Sequence, residues 1–299
     1  MDGLAIDVRA LAKRYGDTEA LRGLTFGVPR GSLCGFLGRN GAGKTTTLKL
    51  LLGMARPTAG EGFIFGRRID VEAESVAIRR ETAFVSESKD LYPFTTVEQM
   101  IRIARAACPG WRADLESKYL KLFELKPKQK VSALSRGNLT RLNLLLALSR
   151  GARLLLLDEP TQGLDTVVRE EVLQALVSYV ATEESTIFLS SHELHEVEQI
   201  CDRVVIIDHG RALLEGELDD LKGNFRRVRA TFPQAPPANS WNGVRALVQE
   251  GRTVSMLVSG HVDDVVARAR SMEATAVAVD PVTLKEIFLD LVRPDDPRA

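Results

Sequence analysis

The pattern of apolar and polar positions along the chain predicts an α/β domain. Short apolar runs at residues 32–37, 154–157, 186–190 and 203–208 are typical of strands that are buried on both faces. Residues 169–184 carry apolar positions at helical spacing between two of these runs. Because strand, helix and strand follow one another, we expect a parallel sheet with helices on both of its faces.

The other regions of the chain have a different pattern. Residues 90–150 contain no clear strand, and VEQMIRIARAA, LESKYLKLFEL and NLTRLNLLLALSR each predict a helix, which indicates a helical insert. Near residue 225, the stretch FPQAPPANSWNG is rich in Pro, Asn and Gly and predicts a boundary loop. We therefore expect a first domain at 1–222 and a small α+β domain at 225–299, with a final short helix at 284–292.

Composition and charge narrow the class of partner. The chain has 299 residues, of which 44% are hydrophobic, and its formal net charge is zero. Nucleic-acid binding usually requires a basic excess or patch, so we expect no nucleic acid partner, although Arg226, Arg227 and Arg229 leave a local patch open. The three scattered cysteines predict neither a disulfide framework nor a zinc site. No apolar run is long enough to predict a membrane span, and the charged N-terminus does not resemble a signal peptide.

The motif GRNGAGKT lies between a predicted strand and a helix predicted from Lys44, and it fits the spacing G-x-x-x-x-G-K-[ST]. Its glycines would leave backbone N–H groups free to wrap phosphate oxygens, and the helix N-terminus adds partial positive charge. We expect Lys44 to reach the β- and γ-phosphates and the Thr45 hydroxyl to bind Mg²⁺. The candidate binding residues of this loop are Gly38, Arg39, Asn40, Gly41, Ala42, Gly43, Lys44, Thr45 and Thr46.

Two adjacent carboxylates, Asp158 and Glu159, follow the apolar run at 154–157. Burying an ion costs several kcal/mol or more unless a partner compensates. The carboxyl ends of parallel strands are where open α/β sheets place ligands. We therefore expect Asp158 to bind Mg²⁺ opposite Thr45 and Glu159 to act as the general base that polarises an attacking water. The alternative for such a pair is a solvated helix cap.

Several stretches together resemble the nucleotide-binding subunit of an ATP-binding-cassette transporter over about residues 4–222. They are AKRYGDTEAL, GRNGAGKTT, ALSRGNLTR, LLLLDEP, TQGLD and LSSHE, and they occur in the order found in that family. The resemblance implies a P-loop NTPase cassette with an N-terminal antiparallel β part, and ATP and Mg²⁺ as ligands. It also implies ATP hydrolysis by a homodimer or heterodimer that works with integral-membrane permease subunits on the cytoplasmic face of the cell membrane.

The same resemblance assigns roles to residues outside the phosphate loop. It implies that Tyr15 stacks on adenine, although a lone surface tyrosine is common. It implies that Ser135 and Gly137 act on the nucleotide held by the other subunit. Asp165 would belong to the D-loop, and His192 would contact the γ-phosphate; the alternative for His192 is a helix cap.

Two positions depart from the family pattern. In LSRGN, Arg136 replaces a glycine, and it could add positive charge near the γ-phosphate or point to solvent. If this position required a positive φ, arginine would strain the backbone. Glu87 stands where the family usually has a glutamine, and a carboxylate there can still bind Mg²⁺ directly or through water.

The type of transporter rests on looser similarities. Residues 109–137 and the C-terminal tail resemble cassettes of bacterial exporters and of drug- or peptide-resistance systems. Tyr92 and Phe94 either anchor a permease helix or fill the core beneath their loop. A soluble cassette protein that acts on ribosomes or DNA is the alternative, but such proteins usually have two cassettes or long coiled coils. A small-molecule kinase would also use a phosphate loop, but it does not predict the later motifs.

Overall fold

The computed structural model of the protein describes residues 3–88, 91–236, 241, 244 and 246–292. Contacts divide the chain into two compact units, Met1–Glu215 and Gly216–Ala299. No helix in these described ranges combines the length and apolar character needed to cross a membrane.

The strands and helices of both units have the following bounds. The strands are β1 (Leu4–Tyr15), β2 (Thr18–Pro29), β3 (Leu33–Gly38), β4 (Ala59–Ile64), β5 (Arg67–Arg68), β6 (Thr82–Val85), β7 (Leu154–Asp158), β8 (Thr186–Ser191), β9 (Arg203–Asp208), β10 (Arg211–Glu217), β11 (Phe225–Thr231), β12 (Ala246–Glu250), β13 (Thr253–Ser259) and β14 (Ala276–Pro281). The helices are α1 (Lys44–Leu51), α2 (Glu72–Glu81), α3 (Val97–Ala107), α4 (Ala113–Leu122), α5 (Arg136–Leu148), α6 (Thr166–Glu183), α7 (Leu194–Ile200), α8 (Leu218–Asn224), α9 (Val262–Ser271) and α10 (Leu284–Leu291).

The first unit contains the predicted parallel sheet. Its six strands have the order β10-β9-β3-β8-β7-β6, and the pairs β9/β3, β3/β8, β8/β7 and β7/β6 are parallel. Every residue of β3, β7 and β8 is buried, as expected for strands covered on both faces. The four apolar runs are therefore strands, and the predicted fold class is confirmed.

A second, antiparallel sheet packs against the parallel one. It has the order β2-β1-β4-β5. Phe26 of this sheet lies with its ring centroid 5.5 Å from those of both Phe36 on β3 and Phe188 on β8. These rings, and the aliphatic side chains around them, form the core between the sheets. The predicted N-terminal antiparallel part is thus present and packs against the strands of the parallel sheet.

The helical insert lies between β6 and β7. It consists of α3, α4 and α5, with one short 3₁₀ turn at Val131–Ala133. Helix α3 begins with a capping box, in which Thr96 and Gln99 each accept from the other's backbone N–H. The insert therefore matches the helical prediction for residues 90–150.

The second unit is an α+β fold with the strand order β12-β13-β11-β14. One face of this sheet packs against α9 through buried side chains that include Val228, Ala230 and Met256. The sequence pattern did not predict β11 or β14. Within the predicted boundary loop, residues 237–240, 242 and 243 lie outside the described residues.

The three arginines of β11 do not form a free basic patch. Arg229 pairs with Asp280 of β14 at 2.7 Å, and Arg227 pairs with Glu286 of α10 at 2.9 Å. Arg226 donates to the carbonyl of Lys222 at 2.8 Å. Each guanidinium therefore has a partner within the unit itself.

Candidate active site

The phosphate loop connects β3 to α1, and its shape requires glycine. Gly43 has a φ of 110°, and a Cβ there would lie 2.6 Å from Leu21 Cδ2 and 2.9 Å from the carbonyl oxygen of Ala20. A Cβ on Gly38 would lie 2.7 Å from the carbonyl oxygen of Ile207. A side chain at either position would push the loop away from the neighbouring strands.

Contacts to its carbonyl groups hold the loop in place. Gly210 N donates to Ala42 O at 3.0 Å, and the Thr47 hydroxyl donates to Gly43 O at 2.9 Å. No side chain in the described part of the chain caps α1. The first turn of this helix therefore keeps the N–H groups and the positive dipole end that bind anions.

Lys44 connects the loop to the carboxylate pair. Its side chain is 7% exposed, and Nζ donates to Gly38 O at 2.7 Å and lies 3.2 Å from Glu159 Oε1. A buried ammonium needs such partners because its desolvation is costly. Phosphate oxygens in the loop would offer the same ammonium a second set of acceptors.

The two carboxylates lie at the end of β7 and are buried. Ser190 donates its hydroxyl to Asp158 Oδ1 at 2.6 Å, and Glu159 N donates to the same hydroxyl oxygen at 3.1 Å. Glu159 has a φ of 47°, which is uncommon for a residue with a side chain and often marks a functional site. Its backbone turn points the carboxylate back toward Lys44. No helix begins here, so the pair is not a solvated cap.

His192 meets Glu159 from the neighbouring strand. Its Nδ1 lies 2.8 Å from Glu159 Oε2, and its backbone N–H donates to the same oxygen at 3.3 Å. The N-cap position of α7 is Glu193, so His192 does not cap that helix. The structure thus brings Lys44, Glu159 and His192 together at one carboxylate.

Lys44 and Glu159 border a cleft of about 400 Å³, whereas Asp158 and His192 are not among the residues that line it. Among the residues expected from the sequence, the cleft is lined by Arg39, Asn40, Gly41, Gly43, Lys44, Thr45, Thr46, Glu87 and Glu159. Sequence reasoning missed Thr18, Glu19, Ala20 and Gln162, which also line it. It missed Ser190 as well. Gln162 lies within the TQGLD stretch, which was a signal that could have found it.

Three expected residues lie beside the cleft or beneath it. Ala42 is only 3% exposed, and Gly38 is the buried last residue of β3. Tyr15 is 47% exposed, and Lys13 Nζ lies 4.8 Å from the centre of its ring. Its partner across the β1–β2 hairpin is Thr18, which does line the cleft. Tyr15 is therefore close to the cleft but is not part of its lining.

The donor set around Thr45 and Asp158 fits Mg²⁺. A hydroxyl and a carboxylate are oxygen ligands of the kind that this ion prefers, and α1 packs directly against β7. In the described ranges no three or more His, Cys, Asp or Glu residues form a group that could hold a metal on their own. Mg²⁺ usually takes one or two carboxylates and completes its shell with phosphate and water, so such a sparse set is sufficient. Glu87 is exposed and lines the cleft.

Ser135, Gly137 and Asp165 do not line this cleft. Ser135 caps α5 by accepting from Asn138 N at 3.2 Å, and Asp165 caps α6 by accepting from Val168 N at 3.0 Å. Ser135 and Gly137, which are expected to act on a nucleotide in another subunit, therefore lie outside the cleft of their own chain.

Arg136 adopts the position without strain. It is the first residue of α5 and is not among the residues with positive φ, so a glycine is not required there. Its guanidinium lies against Gly163, where a Cβ would clash with it. Arg136 therefore contacts the TQGLD loop of its own chain.

Several known proteins are similar to this chain. The family model described as ABC transporter matches residues 21–162. Nod factor export ATP-binding protein I from Burkholderia orbicola is 39% identical over 217 residues, which cover 71% of this chain and 70% of that protein. Daunorubicin resistance ATP-binding protein DrrA3 from Streptomyces coeruleorubidus is 34% identical over 313 residues, with 99% and 98% covered. A solved structure of an ATP binding subunit of an ABC transporter matches with a TM-score of 0.66 at 30% identity, covering 73% of this chain and 92% of that one.

Proposed function

The chain belongs to the ABC transporter family as an ATP-binding protein, and on this premise we propose that it hydrolyses ATP to drive a separate membrane permease. The observation that carries the proposal is the meeting of Lys44 and His192 at the buried Glu159 carboxylate. A phosphate-binding loop alone would serve many nucleotide-binding proteins. A carboxylate held between the loop lysine and a histidine has the geometry of a general base.

In this proposal each residue of the site has a separate role in hydrolysis. The loop N–H groups and Lys44 bind the phosphates, and Lys44 exchanges its contact with Glu159 for phosphate oxygens. Glu159 accepts a proton as water attacks the γ-phosphorus and the bond to the bridging oxygen of ADP breaks. A positioned general base contributes roughly 10²- to 10⁴-fold in rate. His192 orients Glu159 and donates to the γ-phosphate. Mg²⁺, held through Thr45 and Asp158, would neutralise charge on the phosphates.

We further propose that two subunits complete each site. Ser135 and Gly137 lie at the N-terminus of α5, outside the cleft of their own chain, and α5 offers N–H groups to an anion. A second subunit in a head-to-tail arrangement would bring these groups to the first subunit's nucleotide. For identical subunits such a pair is two-fold and isologous. The pair is either two copies of this chain or this chain with a related one.

The permease would dock on the loop that follows Glu87, on the cytoplasmic face of the membrane. Phe94 is 77% exposed and Tyr92 is 53% exposed, and their ring centroids lie 5.7 Å apart. An exposed aromatic pair favours docking over the alternative in which these rings fill the core. The relatives named for Nod factor export and daunorubicin resistance favour an exporter.

The variant Glu159→Gln tests the catalytic proposal. Glutamine keeps the shape of the side chain but cannot take a proton, so we expect ATP to bind normally while hydrolysis falls about 10²- to 10⁴-fold. We also expect an ATP-bound dimer to accumulate, measured by light scattering. Lys44→Ala is the contrasting variant and should lose ATP binding.

Two results would contradict the assignment. Normal turnover in Glu159→Gln would exclude Glu159 as the base, and normal ATP affinity in Lys44→Ala would exclude the phosphate loop.

The transport partner is tested by pull-down from detergent-solubilised membranes. We expect a multi-span protein in near-equal amount, and less of it with Phe94→Ala.

A further inference from the structure

A buried carboxylate that has no role in the proposed mechanism contacts the segment 159–165, which follows β7 and begins with Glu159. Glu196 is on α7, and its side chain is 6% exposed. The Thr161 hydroxyl donates to Glu196 Oε2 at 2.5 Å, and Arg169 Nε lies 3.0 Å from Oε1. Each carboxylate oxygen therefore faces a different element of the first unit.

Arg169 extends this contact to the far end of the loop. It lies on α6, and its Nη2 donates to the carbonyl oxygen of Leu164 at 3.2 Å. Thr161 and Leu164 both belong to the segment 159–165, which runs from Glu159 to the cap of α6. Glu196 thus fastens this segment directly through Thr161 and indirectly through Arg169.

The same two segments are also joined at the catalytic residues. His192 contacts Glu159 at 2.8 Å, and one helical turn further on Glu196 contacts Thr161, two residues after Glu159. The stretch from His192 to α7 therefore contacts the segment 159–165 at two neighbouring points, Glu159 and Thr161. A displacement of α7 would change both contacts together.

Stability alone is a weak reason for this arrangement. Burial raises the pKa of Glu196, while the Thr161 hydrogen bond and the charge of Arg169 act in the opposite direction. Buried ion pairs often contribute less to stability than well-packed apolar side chains of similar volume. A polar network at this place is better explained by what it holds in position.

We propose that Glu196 is a positioning residue for ATP hydrolysis, which holds Glu159 and Gln162 in register with His192 through Thr161 and Arg169. The inference rests on the proposed function, because it assigns Glu196 a role in that reaction. Glu196 does not line the nucleotide cleft, so it should act on turnover and leave ATP binding unchanged.

The main test is Glu196→Gln in the full chain. Glutamine still accepts from Thr161 but cannot neutralise Arg169, so we expect kcat to fall about tenfold or more while the Kd for ATP changes less than about twofold. Thr161→Val removes the hydroxyl and should have the same effect. Thr161→Ser restores the hydroxyl and should keep kcat within about twofold.

Glu170→Gln is the matched control. Glu170 also links α6 to α7, since Gln199 Nε2 donates to its two carboxylate oxygens at 3.1 Å, but this link does not reach the segment 159–165. We expect this variant to keep normal turnover. Hydrogen exchange of residues 159–165 should become faster in Glu196→Gln and stay unchanged in Glu170→Gln.

Three outcomes would overturn the inference. The first is unchanged turnover in a folded Glu196→Gln or Thr161→Val protein. The second is an equal loss in Glu170→Gln. The third is a parallel loss of kcat, ATP affinity and thermal stability, which would indicate a merely structural role. A wild-type protein that binds ATP without hydrolysing it would contradict the proposed function, and the positioning role with it.

Discussion

Two glycines of the phosphate loop share a positive φ but differ in the space around them. At Gly41, with a φ of 84°, an added Cβ would meet nothing within 4 Å. At Gly43, with a φ of 110°, it would meet Leu21 and the backbone of Ala20. Residue 41 thus needs glycine only for its backbone conformation, whereas residue 43 also needs the absence of a side chain.

This difference predicts unequal effects of alanine. Gly41→Ala should lower the free energy of unfolding by about 1 kcal/mol, because only the backbone is strained. Gly43→Ala should cost more, about 1–3 kcal/mol from strain together with the clash, and should weaken ATP binding by displacing the start of α1. Denaturant unfolding and ATP titration of both variants measure this. Equal losses of stability in the two variants would contradict the inference that a side chain at residue 43 clashes with β2.

At the scale of elements, two helices of the insert begin with a hydroxyl cap. Thr96 accepts from Gln99 N at the start of α3, and Ser135 accepts from Asn138 N at the start of α5. Both caps satisfy one of the N–H groups that a helix leaves unpaired. Ser135 has a second proposed task, which is to meet the nucleotide of another subunit. Thr96 has no such task.

Alanine at each cap separates these two tasks. Thr96→Ala and Ser135→Ala should each lower the free energy of unfolding by about 1 kcal/mol, because each loses one cap. Only Ser135→Ala should lower ATPase turnover, by about tenfold or more. Thermal unfolding and steady-state turnover provide the comparison. If both variants lost turnover equally, the loss would be due to the missing helix cap and not to a missing nucleotide contact.

At the scale of the whole molecule, each unit has a buried core of its own. In the first unit, Leu156 and Phe36 are fully buried in the core that contains β3 and β7. In the second, Met256 and Val228 are fully buried between the sheet and α9. The residues that line the nucleotide cleft lie between Thr18 and Gln162, so all of them belong to the first unit.

Core truncations should therefore affect ATP binding differently. Met256→Ala should destabilise the second unit by about 2–5 kcal/mol, as large-to-small core changes do, and leave ATP affinity unchanged. Leu156→Ala should cost a similar amount in the first unit and weaken ATP binding with it. Calorimetry and ATP titration below the unfolding transition measure both effects. Lost ATP affinity in folded Met256→Ala would contradict the assignment of the site to the first unit alone.

Short stretches of the sequence were sufficient to predict the buried strands, the phosphate loop and the family. These features are local: an apolar run of five or six residues predicts a strand, and the spacing of glycines and lysine predicts a phosphate loop. The carboxylate pair after an apolar run made Glu159 a candidate, and the family resemblance made His192 one. Each motif lies within one short segment. The sequence therefore predicted which residues are candidates but not which of them contact one another.

How these segments meet depends on the packing of elements that are distant in the chain. The contact between His192 and Glu159, and that between Glu196 and Thr161, join residues 33 and 35 positions apart. The strand β11 was missed because three arginines obscure its alternation, and two of their acidic partners lie on β14 and α10. Local pattern depends on a residue's neighbours in the chain, whereas charge compensation and side-chain positioning depend on which elements pack together. That is why the candidate residues were predictable and their network around Glu159 was not.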